Sequence, residues 1–304
     1  MRIGTRGSPL ARRQTALVAA SLCEAVPGLQ IEVVPITTVG DRSQHTNQPG
    51  DGWGTGVFVK ELEAALLRDD IDLAVHSLKD VPPAVSPELP LAAIPPRGDP
   101  RDVLVTLGGQ ALEGLPFGAR VGTSSARRAA FLRVPRPDLR CLAIRGNVET
   151  RIDKLRAGEY DAIVLALAGL TRLELRAPFQ VLEADILPPA PGQGALALQA
   201  RAGDRDILEI AEQLHDPATG AAVRAERRLM ANLEGGCRLP VGALGTPHAD
   251  GRLELVGGVA EPHGRDAVID RMEGSLFEPE TLADALAARL RAAGATELIA
   301  VGEA

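Results

Sequence analysis

Aromatic side chains make up only 2% of the 304 residues. That scarcity excludes nucleic-acid recognition by base stacking, and a formal net charge of -7 argues against a general polyanion binder. Lysine is almost missing, with Lys60, Lys79 and Lys154 set against many arginines. His45, His76, His215, His248 and His263 are scattered without ligand spacing, so no metal site is expected. No Gly-rich nucleotide fingerprint is present, and no apolar run approaches membrane-spanning length. Cys23, Cys141 and Cys237 form an odd set that suggests no disulfide framework. Cys23 falls in an amphipathic helix and Cys141 in a strand, and both are expected in the core. The start at Met1-Arg2-Ile3-Gly4 has no charged-then-apolar leader. The expectation is a cytoplasmic protein with free thiols and neither membrane nor nucleic-acid partners.

What is there is a globular composition, 45% apolar and 24% charged, long enough for two or three domains. Strand-like Met1 to Thr5 and Ile31 to Thr37 alternate with helices. One helix opens at Ser8-Pro9 and carries Leu10, Leu17, Val18 and Leu22 on one side; another carries Phe58, Leu62, Ala65 and Leu66. Gly40 to Gly56 is long, polar and Gly-rich, the texture of a lid or a disordered segment. Proline clusters at 95–100 and 188–191 mark two crossings between domains. Between them Arg120 to Gly122, Leu139 to Ile144 and Asp161 to Leu167 read as strands, alternating with helices from Ser125 and Val148. The fold class is α/β: two hinged, periplasmic-binding-protein-like α/β domains plus a smaller C-terminal α+β domain. The expected boundaries are 1–95 with 195–215, then 101–188, then 217–304. In the last, Leu253 to Val256 and Ala267 to Met272 read as strands, and a final helix carries Leu282, Leu286 and Leu290.

Four segments carry chemistry. Ile71 to Val75 reads as a buried strand, stopped at His76-Ser77-Leu78-Lys79-Asp80 by Pro82 and Pro83. It brings an imidazole, an ammonium and a carboxylate to the carboxyl edge of a sheet, where α/β proteins bind ligands; a solvated surface ion pair is the plainer reading. Gly122-Thr123-Ser124-Ser125-Ala126-Arg127-Arg128 joins a strand to a helix with three hydroxyls and two arginines, an anion site or an ordinary N-cap. Arg145-Gly146-Asn147-Val148-Glu149-Thr150-Arg151 repeats the arrangement, with Gly146 allowing close approach to the backbone. Arg6 and Ser8 follow the first strand in the same way. Each Arg–carboxylate hydrogen bond contributes roughly 1.5–3 kcal/mol, so this many arginines suit a ligand with several carboxylates or phosphates. Last, Glu234-Gly235-Gly236-Cys237-Arg238 sets a thiol in a glycine turn beside a cation that favours the thiolate; a small buried cysteine in a tight turn is the alternative.

These segments resemble, collinearly and over essentially the full length, the porphobilinogen deaminase (hydroxymethylbilane synthase) family. The matching stretches include Arg2 to Leu10, Phe58 to Glu63, Val75 to Val81, Asp99 to Asp102, Val121 to Arg128 and Leu142 to Arg151. Gly158 to Ala162, Ala168 to Leu170, Pro191 to Ala195 and Glu234 to Pro240 continue the series. The resemblance implies an enzyme of tetrapyrrole (porphyrin, haem) biosynthesis that joins four porphobilinogen molecules head to tail. It releases ammonia and then hydroxymethylbilane by hydrolysis. Growth starts on a dipyrromethane cofactor held by a thioether, here to Cys237. The catalytic aspartate falls on Asp80. The cofactor would meet Lys79, Asp80, Thr123, Ser124, Ser125, Arg127, Arg128 and Gly146. Incoming porphobilinogen would meet Arg6, Ser8, Arg145, Arg151, Arg172 and Gln193. Trp53, Thr55 and Phe58 would belong to the lid, where Thr55 stands in place of a lysine that many family members carry. A monomer without metal is expected. The competing reading is a non-catalytic, two-lobed carboxylate-binding protein, which would need neither Cys237 nor a third domain.

Overall fold

A computed structural model describes residues 1–36, 59–233 and 240–300. The chain lays down β1 (Arg2–Arg6), α1 (Pro9–Ala25), β2 (Glu32–Ile36), α2 (Lys60–Leu67), β3 (Leu73–Ser77), a 3-10 turn at Leu78–Asp80 and β4 (Leu91–Ala93). Past Gly98 it enters a second compact unit with β5 (Asp102–Val105), β6 (Arg120–Gly122), α3 (Ala126–Arg133) and β7 (Arg140–Leu142). There α4 (Val148–Arg156), β8 (Ala162–Ala166), α5 (Leu167–Arg172) and β9 (Phe179–Leu182) follow. At Gly194 it returns to the first unit for β10 (Leu196–Ala200) and α6 (Arg205–Glu212). Helix α7 (Pro217–Asn232) begins in the first unit and ends in the second. The second unit is completed by β11 (Val241–Pro247), β12 (Arg252–Ala260), β13 (Ala267–Ser275), α8 (Pro279–Ala292) and α9 (Ala295–Ala300).

The first unit holds a five-stranded sheet in the order β2-β1-β3-β10-β4. Strands β1, β2 and β3 run parallel, and β10 is antiparallel to β3 and β4. Ser8 caps α1, its Oγ accepting from Ala11 N at 3.3 Å, and Pro9 opens the first turn. The buried stripe of α1 is Ala11, Gln14, Thr15, Val18 and Leu22, the helical i, i+3, i+4, i+7 pattern. This corrects the sequence reading in two places. Leu17 lies one residue round from Val18 and is 40% exposed, and Cys23 is exposed rather than in the core.

The second unit repeats the plan in a sheet ordered β7-β6-β8-β5-β9, with β6, β7 and β8 parallel and β5 antiparallel to both its neighbours. It also contains the antiparallel sheet β11-β12-β13. Leu282, Leu286 and Leu290 of α8 are buried in one cluster with Leu253, Leu255 and Leu229, each burial contributing about 1.5–3 kcal/mol. The C-terminal sheet is not isolated within this unit. Phe131 of α3 is buried with Ala260, and Ala267 and Ile269 pack against that cluster. Contacts therefore group the C-terminal elements with residues 99–193.

Candidate active site

In the first unit the parallel pairing of β1 and β3, Ile3 with Leu73 and Gly4 with Ala74, puts Arg6 level with His76 two residues on. Both strands leave the sheet at this carboxyl edge, where Leu78 N donates to Ala195 O at 3.0 Å and Val81 N closes the 3-10 turn on Leu78 O at 3.0 Å. The turn presents Lys79 and Asp80, both half-buried. Arg6, Gln14, Val75, His76, Ser77 and Asp80 line a recess here. Gln14 and Ser77 brace its wall, Gln14 Nε2 donating to Ser77 Oγ at 2.9 Å.

His76 does not stand open at the edge beside Lys79 and Asp80. It is 4% exposed, with Nε2 3.0 Å from Gln199 Oε1. Gln199 Nε2 donates to Glu63 Oε1 at 3.0 Å and to Leu89 O at 2.9 Å. Both amide protons are thereby used, so Gln199 Oε1 can only accept, and the imidazole must carry its proton on Nε2. Burial, opposed by the Gln199 hydrogen bond and aided by the charge of Arg6, pushes the imidazole down to about 4 from 6.5. Above pH 6.5 His76 is neutral in folded and unfolded chains alike. Between 6.5 and 4 the unfolded chain takes up a proton that the folded protein refuses, so stability falls as pH falls through that window. The loss amounts to about 3 kcal/mol by pH 4. Urea unfolding at pH 7, 5.5 and 4.5 should show this loss in wild type and not in His76→Gln. Parallel pH profiles for the two proteins would refute it.

In the second unit the two expected anion segments follow β6 and β7, and Arg172 lies on the helix that follows β8; these three strands are adjacent and parallel, so the two segments and that helix emerge on one edge. After β6, Thr123 N donates to Leu142 O at 2.9 Å. Ser124 Oγ ties to Ile144, donating to its O at 2.8 Å and accepting from its N at 3.1 Å. Ser125 caps α3, accepting from Arg128 N at 3.3 Å. After β7, Asn147 caps α4, accepting from Thr150 N at 2.8 Å. Gly146 has φ +109, and a Cβ there would lie 2.7 Å from Thr150 Cγ2, so the position demands glycine. Arg145 is exposed. Arg151, whose place near a helix start opposes the macrodipole, donates Nε to Gly146 O at 3.0 Å. Burial, with help from the charge of Arg128, pushes Arg151 down to about 10, still protonated at neutral pH. Burial also lowers Arg172, at the end of α5.

Arg127 and Arg128 are 5% and 7% exposed and converge on Asp102, which is fully buried at the start of β5. Arg127 Nη2 meets Asp102 Oδ2 at 2.7 Å, and Arg128 Nη2 meets Oδ1 at 2.7 Å. Gln193 Nε2 adds a bond to Asp102 Oδ1 at 2.9 Å and another to Pro100 O at 2.7 Å. Burial works against the Asp102 charge, but Arg128 and Arg127 hold the carboxyl well below the usual range. Both arginines and Gln193 thus already have partners within the protein. Asp102 was not singled out from sequence; its signal was a carboxylate just before the apolar run Val103–Val105.

The donor chemistry fits a ligand bearing several carboxylates. Two guanidinium charges against one carboxylate leave the Asp102 cluster with a net positive charge. Among the described residues Arg151 has no carboxylate partner, so this partly desolvated cation favours an outside anion. Cys237 and the lid positions Trp53, Thr55 and Phe58 lie outside the described residues. Among the described residues no His, Cys, Asp and Glu cluster could hold a metal ion, and no helix is long and apolar enough to cross a membrane.

Two family descriptions cover most of the chain. Residues 1–209 match the porphobilinogen deaminase, dipyromethane cofactor binding domain, and residues 221–292 the porphobilinogen deaminase, C-terminal domain. The porphobilinogen deaminase of Roseiflexus castenholzii is 49% identical over 301 residues, covering 98% of each chain. That of Acidothermus cellulolyticus is 48% identical over 98% of this chain and 91% of its own length, and that of Deinococcus radiodurans 45% identical over 98% and 97%. Among solved structures the Bordetella pertussis BvgS periplasmic VFT2 domain aligns with 70% of this chain and 86% of its own at a TM-score of 0.40 and 17% identity, too loose a likeness to weigh. With both descriptions in register and relatives near half-identical from end to end, the chain belongs to the porphobilinogen deaminase family.

Proposed function

We infer that this chain is a hydroxymethylbilane synthase. It condenses four porphobilinogen molecules head to tail, releases one ammonia at each addition, and frees the linear product by hydrolysis. The observation that carries this is near-complete coverage by both family descriptions together with relatives named porphobilinogen deaminase at 44–49% identity. No comparison favours the non-catalytic carboxylate-binding reading. When bound through Cys237, the dipyrromethane supplies the pyrrole carbon on which the chain grows.

Roles for the chain's own residues follow from their chemistry. Asp80 accepts pyrrole N–H bonds and stabilises the cation left when ammonia departs from the incoming substrate; the ammonium of Lys79 cannot, and binds carboxylate instead. Ser125 and its neighbours Thr123 and Ser124, Arg128 and the Gly146 backbone serve the cofactor, and Arg6, Ser8, Arg145, Arg151 and Arg172 the substrate side chains. The cytoplasm suits a protein with an exposed thiol at Cys23. Purified protein given porphobilinogen should release one ammonia per substrate consumed and yield a linear tetrapyrrole; binding without ammonia release would overturn the assignment.

Two substitutions probe the substrate arginines. Arg145→Leu and Arg151→Leu should raise KM by roughly tenfold or more, the cost of one charge-assisted contact, while thermal unfolding shifts little. Arg145 is exposed and contributes little to a core, and Arg151 gives the fold one hydrogen bond, to Gly146 O, and no carboxylate contact among the described residues. Unaltered KM with a large drop in unfolding temperature would make these arginines structural.

A further inference from the structure

Arg127 and Arg128 follow a strand end and open a helix, as a ligand-binding pair should, yet both side chains turn inward. Arg127 Nη1 donates to Pro188 O at 2.5 Å and Nη2 to Asp102 Oδ2 at 2.7 Å. Arg128 spends Nε and Nη2 on Asp102 Oδ1, at 3.2 and 2.7 Å, and Nη1 on Val164 O at 2.9 Å. Gln193 completes the shell of the carboxylate at 2.9 Å. A carboxylate that receives two guanidinium groups and an amide fixes the planes of all three. It also cancels one of the two positive charges. The next cation, Arg151, lies close enough to Arg128 to feel its charge.

We propose that Asp102 is a positioning residue of the anion site: it locks Arg127 as an internal strut, aims Arg128, and trims the charge of the pair from two to one. The second unit thereby binds ligand carboxylates tightly enough to hold them and weakly enough to let a lengthening chain move. This rests on the reading of the site as one for a polycarboxylate pyrrole chain.

The test uses inorganic phosphate as a probe of site charge, alongside turnover. In the Cys237→Ser background, which should lack the covalent group, phosphate affinity is measured by calorimetry with and without Asp102→Asn. The extra charge should tighten phosphate binding by about tenfold. In the cofactor-bearing enzyme, Asp102→Asn should lower kcat by roughly tenfold or more through misdirection of Arg128 and make phosphate a stronger inhibitor. A structural role alone would move neither phosphate constant upward. Should Asp102→Asn fail to fold, the double variant Asp102→Asn with Arg127→Met removes one opposite pair of the buried charges and leaves the net charge of one on Arg128. Its phosphate affinity should match that of the parent, while kcat stays low. Unchanged phosphate affinity in a folded Asp102→Asn protein, or full turnover in the double variant, would overturn the proposal. Ammonia release by the wild type tests the functional reading separately, since phosphate binding needs no turnover.

Discussion

Asp80→Asn is expected to fold, to retain some affinity for porphobilinogen and to lose nearly all turnover. The position favours a folded variant. Asp80 ends a 3-10 turn whose own hydrogen bonds are backbone ones, and its side chain is half-buried rather than locked in a core. The amide can replace the shape and the acceptor oxygen but not the charge. A carboxylate about 4 Å from a developing cation, at an effective dielectric near 20, contributes roughly 4 kcal/mol. Losing it slows the step by about a thousandfold. Because the charge develops only as ammonia leaves, the loss should fall on kcat and kcat/KM together. Single-turnover ammonia release from Asp80→Asn, read beside wild type, measures it. A variant within a few-fold of wild type would show that another group stabilises the cation.

The local grammar of the site was legible in the sequence, and its long-range pairings were not. The run from Ile71 into Lys79-Asp80, closed by Pro82, announces a strand delivering polar groups to an edge, and β3 with its 3-10 turn is that arrangement. Ser125 and Asn147 announce helix starts by residue type, and each is an N-cap. Partners distant in sequence stayed hidden. His76 looks like a site residue until Gln199, 123 positions away, is found holding it. Arg127 and Arg128 read from sequence as a pair facing outward, and the buried Asp102 that both engage, 25 and 26 positions back, could not be seen there. Nothing local distinguishes an arginine that faces a ligand from one that faces a buried carboxylate. Strand β11 was missed because Gly242 and Gly245 dilute its pattern. Those glycines answer to packing: a Cβ on Gly242 would lie 2.2 Å from Pro188 O, and one on Gly245 would lie 3.0 Å from Ala222. The smaller C-terminal domain was legible as strands followed by a final helix; the buried cluster joining Phe131 to Ala260, which packs its sheet with residues 99–193, was not.

Cys237→Ser is expected to give a folded protein without the covalent dipyrromethane and without turnover. The other cysteines make poor substitutes. Cys23 projects from α1 and Cys141 lies in β7, where burial pushes its thiol up and away from the thiolate. Cys237, next to Arg238 in the sequence, is the thiol expected to make the thioether. A serine hydroxyl ionises far too weakly to replace it without an activating base. Intact mass spectrometry separates the outcomes directly: wild type should exceed its sequence mass by one dipyrromethane unit, and the variant should not. An acidic aldehyde reagent should colour only the former. The effect on turnover should be all or nothing, since without the primer there is no pyrrole carbon to extend, whereas Asp80→Asn slows a step on an intact primer. The two variants therefore part on mass and on residual activity, which should be nil in Cys237→Ser and slow but measurable in Asp80→Asn. An active wild type with no added mass would remove Cys237 from the chemistry altogether, and a modified Cys237→Ser protein would move the attachment to another residue.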